Sequence, residues 1–157
     1  MSNNKFIRSF TRIPNELFRL NTGTIIRLRA YPGPTRPKRR FDLLTMGGKV
    51  RPLALNPATY EWPNGASMRP NSPGLHYVIR TIREPSTCIY AIPAGVELPD
   101  DLILVHEFGD HYSLQAAKEM TVDELNIKMT GFLVTEGECL TKEAWLEQYP
   151  QATGRAR

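Results

Sequence analysis

Twelve of the chain's 13 prolines precede residue 100, and eight of them fall between residues 31 and 73. These are Pro32, Pro34, Pro37, Pro52, Pro57, Pro63, Pro70 and Pro73. Each fixes φ and removes a backbone donor, so neither a long helix nor a central strand can run through the stretch. It is predicted to be loop-rich and broken into short extended pieces. Ordered loops of that length tend to bind something.

Regular structure is therefore expected on either side. Residues 16–20 (ELFRL) and 23–31 (GTIIRLRAY) alternate well enough for two strands joined near Asn21 to Gly23. Ser72 with Pro73 reads as a helix start, followed by Leu75, Val78, Ile79 and Ile82 at helical spacing. Residues 87–92, 102–106 and 111–116 read as strands. Thr121 with Glu124 makes a capping box ahead of Val122, Leu125, Met129 and Phe132. Thr141 can cap a last short helix carrying Trp145. The sum is an α+β domain with five to seven short strands. At 157 residues it is one domain, expected over 15–150, with an N-terminal arm (1–14) and a C-terminal tail (151–157). No apolar run approaches the roughly 20 residues of a membrane helix. The N-terminus has no apolar stretch of signal-peptide length, and the chain is read as cytoplasmic where it works.

The net charge of +4 conceals a division. Residues 1–83 hold 15 Lys/Arg against 3 Asp/Glu, whereas 84–157 hold 5 against 13. Such asymmetry suits a polyanionic partner, a phosphate-bearing ligand, or halves that neutralise each other. Cys88, in an apolar run, reads as a buried core thiol and Cys139 as a polar-segment residue. A reducing compartment is the natural reading, with pairing of the two left open.

The segment Trp62-Pro63-Asn64-Gly65-Ala66-Ser67-Met68-Arg69-Pro70 carries the most chemistry. Asn-Gly predicts a tight turn, the small residues admit a ligand to the backbone, Ser67 offers a hydroxyl and Arg69 a cation. A plain proline-bounded loop is the alternative. Arg19 shares a strand face with Leu17 and Asn21, either on the solvent side of an edge strand or set into a cleft to clamp an anion. His106 and His111 in HEFGDH lack the helical spacing of a zinc pair, so no metal is expected. His111 and Tyr112 can instead face a cleft from a strand start. Arg36, Lys38, Arg39 and Arg40, with Arg27 and Arg29, form a short cationic patch that could meet phosphates.

Taken in order, these segments resemble the ADP-ribosyltransferase toxins of bacterial type VI secretion, which have fungal homologues. The strongest run is IPAGVELPDDLILVHEFGDHYSLQAAKEM, residues 92–120. It reads as a turn, an LPDDL strand, then a strand opening His111-Tyr112 and ending Ala117-Lys118-Glu119-Met120. Upstream, Asn64-Gly65-Ala66-Ser67 is similar to the family's Gly-Gly-Thr-Ser loop, and Leu17-Phe18-Arg19 to its arginine-bearing strand. The likeness spans about residues 15–135. It implies a mono-ADP-ribosyltransferase fold, two small and roughly orthogonal sheets forming a cleft for NAD. It implies Arg19 as the NAD clamp, Ser67 supporting the nicotinamide ribose, and His111 with Gln115 at the reacting centre, with Tyr112 as a stacking or hydrogen-bonding group toward NAD. The charge division adds Arg69 as a second cation for the NAD pyrophosphate.

Two departures stand out. His-Tyr, as in its toxin relatives, fills the place where most ADP-ribosyltransferases carry a glutamate, and Ala66 replaces the family's loop threonine. Glu107 and Asp110 are near enough in sequence to supply the carboxylate, with nothing in the sequence to fix their direction. The transfer target is open, a macromolecular acceptor being expected and an immunity or antitoxin partner compatible. The rival readings are a metal-independent ribonuclease-like or RNA-binding toxin using the basic half, and an NAD-binding module without transfer.

Overall fold

The computed structural model describes residues 6–32 and 41–153. Arg36, Lys38, Arg39 and Arg40 of the cationic patch lie outside them. In chain order the elements begin with β1 (Arg8–Phe10), β2 (Leu17–Thr22), β3 (Ala30–Tyr31), β4 (Leu43–Met46) and β5 (Lys49–Val50). After two 3-10 turns come β6 (Gly65–Met68), α1 (Pro73–Thr81), β7 (Thr87–Ile92), β8 (Leu102–Phe108) and β9 (His111–Ala116). The chain ends with β10 (Met120–Thr121), α2 (Val122–Glu136), β11 (Glu138–Leu140) and α3 (Lys142–Gln148). The architecture is α+β, as expected.

Among the described residues the strands form three sheets rather than the expected two: β1-β8-β9-β6, β11-β7-β2, and a set of short strands β10-β5-β4-β3. The strands exceed the expected number because the proline-rich stretch is not all loop. At Gly47-Gly48 both φ values are positive, 61° and 78°, which a two-residue hairpin between β4 and β5 requires. The 62–70 segment is also not a loop: Gly65 to Met68 pair antiparallel with β9. Gly65 is needed there for closeness, since a Cβ would stand 2.2 Å from the Leu114 carbonyl oxygen.

A second correction concerns residues 23–29. Their alternation is real, with Ile26 and Leu28 buried and Arg27 and Arg29 exposed, yet no strand forms until Ala30. The backbone is held by a helix instead. Ile26 N donates to Thr130 Oγ1 and Leu28 N to Asn126 Oδ1 of α2, each at 2.9 Å. The three α-helix starts among the described residues, at Ser72, Thr121 and Thr141, follow the sequence. Ser72 Oγ accepts from Leu75 N at 3.1 Å, and Thr121 and Glu124 close a reciprocal capping box. Cys88 and Cys139, expected as thiols, form a disulfide joining β7 to the neighbouring β11, with Cα atoms 5.8 Å apart.

The main core gathers Leu17, Ile92, Leu104, Leu114, Met129 and Leu133 between the first two sheets and α2. Phe18, Leu75, Ile79, Ile89 and Trp145 pack beneath α1 and α3. On the other side of the first sheet, Ile103 and Val105 meet Leu53, Ala54 and Tyr60 from the proline-rich segment.

Candidate active site

β2 and β6 belong to different sheets and are joined at one point. Phe18 N donates to Arg69 O at 2.8 Å, and Arg69 N returns a bond to Phe18 O at 3.0 Å. Residues 19 and 67 flank this joint, so Arg19 Nη1 reaches the Ser67 carbonyl oxygen at 3.3 Å. Arg19 Nη2 donates to Asn21 Oδ1 at 3.3 Å, and its Nε is buried without a partner. Burial lowers the guanidinium's pKa from its ordinary value, against the opposing charge of Asp42. Of the two positions that spacing allowed, the arginine occupies the cleft.

Arg19 borders two hollows. One, about 470 Å³, is walled by Asn21, Arg27, Arg29 and Asp42 with it. The other, about 80 Å³, lies among Phe18, Arg19, Ser67 and Arg69. Around the larger hollow stand three guanidiniums and one carboxylate, Asp42, which Arg29 Nε approaches at 3.4 Å. Arg69 itself is partly engaged, its Nε 3.6 Å from Asp110 Oδ2, which also accepts from Ser72 Oγ at 2.6 Å.

Across the first sheet, strand alternation sorts the polar residues. Ser67 pairs with Ser113 and Gly65 with Gln115, so His111, Ser113 and Gln115 share the face of Ser67. His111 Nε2 lies 3.1 Å from Ser67 Oγ, and its Nδ1 lies 2.7 Å from Glu107 Oε1. Glu107, 4% exposed, also accepts from the Tyr60 hydroxyl. Gln115 Nε2 donates to that hydroxyl at 2.9 Å and to Ser113 Oγ at 3.0 Å. Burial and the neighbouring Glu107 hold the Tyr60 hydroxyl well above its ordinary pKa. A carboxylate thus stands behind the histidine, one hydrogen bond away.

The sequence-derived residues divide accordingly. Arg19, Ser67 and His111 come together, and Arg69 borders the smaller hollow. Gln115 is fully buried and touches the group through Tyr60. Tyr112 faces the other way, packed in the main core with its ring 4.2 Å from that of His106. Tyr60 has no sequence signal, because only the folded proline-rich segment carries it to Glu107. Glu107 is marked by its nearness in sequence, but its direction is not: the register shifts between His106 and Phe108, Phe108 stands opposite His111, and Glu107 lies at the irregularity. Asp110, the other candidate carboxylate, is turned to Arg69 and Ser72.

An arginine-lined hollow thus lies beside a polar strand pair. The model of the Tse2 ADP-ribosyltransferase toxin family matches residues 15–145. The chain belongs to that family, and is thus an ADP-ribosyltransferase toxin-type protein. No curated protein matches it significantly. Among the described residues no helix is long and apolar enough to cross a membrane.

Proposed function

We propose that the protein is an NAD-dependent mono-ADP-ribosyltransferase that cleaves the nicotinamide glycosidic bond and transfers ADP-ribose to a macromolecular acceptor. The cleft runs between the β2 edge and the β6–β9 strands, in the manner of an ADP-ribosyltransferase fold. The observation that carries the reading is the convergence of Arg19, with its unpartnered buried Nε, on Ser67 and the His111–Glu107 pair. The hollow that Arg19 shares with Arg27 and Arg29 fits a pyrophosphate.

In this reading Arg19 clamps the phosphates, with Arg69 next to it, and Ser67 supports the nicotinamide ribose. Bound there, NAD supplies an ADP-ribosyl group on a cationic leaving group, whose departure leaves positive charge on the ribose. His111 bonds a ribose hydroxyl through Nε2 while Glu107 holds Nδ1. The carboxylate that the His-Tyr position itself lacks is thereby provided through the ring, and its charge offsets that developing on the sugar. Nε2 is also placed to take the acceptor's proton. Gln115 acts at one remove, orienting Glu107 through Tyr60. Tyr112 is left to the core. The reading places the protein at work in the cytoplasm of a target cell, with an immunity partner as its natural counterpart.

The test is nicotinamide release from NAD by the purified chain, with and without cell lysate. His111→Ala is expected to lower release per folded molecule roughly 100-fold or more. Arg19→Ala is expected to raise KM for NAD. Absence of both release and NAD binding in the wild type would sink the proposal.

A further inference from the structure

We infer that Ser67 is an activated nucleophile and that the protein carries a serine-dependent ester-cleaving activity, separate from any chemistry on NAD. Ser67 Oγ, His111 and Glu107 stand in the order hydroxyl, imidazole, carboxylate, with links of 3.1 and 2.7 Å. Such a constellation is recognised by geometry and roles and recurs on unrelated folds. Each member has the exposure its role requires. Ser67 is open to solvent, His111 keeps about a fifth of its side chain accessible, and Glu107 is sealed from water. The second carboxylate oxygen is held by Tyr60, itself fixed by Gln115, so the orienting group cannot swing away. A hydrogen-bonded support of this depth is more than a surface serine needs.

The surroundings supply the remaining parts. β6 is the edge strand of its sheet, and its free edge meets Arg19, whose Nη1 lies 3.3 Å from the Ser67 carbonyl. Arg19 thus sets a cation against the Ser67 main chain. On the other flank the Phe108 ring lies nearly parallel to His111, centroids 5.1 Å apart at 8°, with Trp62 beyond it at 6.2 Å from Phe108. Both aromatics are about half exposed. They form an apolar wall that fits an acyl or aryl group and points to esters of that kind.

In the reaction, Ser67 Oγ bonds to the ester carbonyl carbon while its proton passes to His111 Nε2. The alcohol oxygen then leaves with the C–O bonding pair and takes that proton. Water adds to the acyl-serine, giving one proton to Nε2, which returns it to Ser67 Oγ as the acid departs. Throughout, Nδ1 keeps its proton and donates it in the hydrogen bond to Glu107.

The test uses a fluorophosphonate, which esterifies activated serines with loss of fluoride, and peptide mapping by mass spectrometry. The wild type is expected to gain one adduct, on Ser67, and to hydrolyse p-nitrophenyl butyrate. His111→Ala should slow labelling at least about 100-fold. Glu107→Gln should slow it at least about 10-fold by presenting Nδ1 with the wrong hydrogen-bonding partner. Labelling elsewhere, no labelling, or a rate at Ser67 indifferent to both substitutions would overturn the inference. Nicotinamide release measured on the same wild-type sample separates the two readings. An adduct without release removes the transferase alone, and release without an adduct removes the nucleophile alone.

Discussion

The two faces of β9 are made of alternate residues in one six-residue strand, yet they are held by opposite physics. Tyr112, Leu114 and Ala116 face the main core, where Leu114 and Ala116 are fully buried among aliphatic side chains. His111, Ser113 and Gln115 face a layer of Tyr60, Glu107 and Ser67, joined by hydrogen bonds. Burial is nearly as complete on the polar side, with Ser113 at 3% and Gln115 at 0% exposure. The apolar face is stabilised by area removed from water and tolerates no loss of volume. The polar face repays desolvation only while each group keeps its partner, and so it fixes direction more than it adds stability.

This difference is sharpest at its largest expected effect. Leu114→Ala should cost about 2–5 kcal/mol of unfolding free energy, read from urea melts, with nicotinamide release per folded molecule unchanged. A fall in activity of the folded fraction would show that the faces are not separable. Next, Tyr60→Phe removes one hydroxyl that serves both Glu107 and Gln115. The expected cost is about 1–3 kcal/mol, together with slower fluorophosphonate labelling of Ser67. Lost stability with unaltered labelling would reduce the polar layer to packing.

The same hydroxyl predicts a pH dependence. Tyr60 is raised above its ordinary value near 10, first by burial and then by Glu107. Tyr149 is pushed up to about 12 by burial and by Glu16, to which it donates at 2.7 Å. A proton held more tightly in the folded chain gives stability that is complete below the unfolded tyrosine pKa and fades as pH rises beyond it. The urea midpoint should therefore fall from about pH 10 upward, and Tyr60→Phe should make that fall shallower. An equal slope in both proteins would remove Tyr60 from the account.

What the sequence disclosed follows from the range of the forces involved. β9 was legible to its ends, because alternation within six residues reports two-sided burial directly. The Thr121 capping box and the Ser72 start were legible because a cap acts over three residues. Arg19 and Asn21 were legible as sharing a face, but not as facing a cleft, since that depends on the Phe18–Arg69 joint between sheets. Tyr60 was illegible because its partner is 47 residues away. The β4–β5 hairpin was legible and passed over: Gly47-Gly48 is a two-residue turn signal, hidden by the expectation that prolines exclude strands throughout.

Residues 23–29 show the limit most clearly, and supply the smallest effect. Alternation there reports that one side is buried and says nothing of what satisfies the backbone. A strand would use a neighbouring strand, whereas here α2 side chains accept the amide protons. Asn126→Ala removes the acceptor of Leu28 N and should cost about 1 kcal/mol, because the freed amide can turn toward water. Thr130→Val does the same for Ile26 N. The sharper readout is amide exchange. Leu28 N–H should exchange faster in Asn126→Ala while the β9 amides keep their protection, since the first sheet does not depend on this contact. Arg27 and Arg29 project from the same segment into the larger hollow, so NAD affinity should weaken in step with that loosening. If Leu28 exchange is unchanged, the segment is held by Ile26 and Leu28 in the core, and the helix acceptors are incidental. If exchange quickens while NAD affinity holds, Arg19 clamps the phosphates without the two arginines beside it.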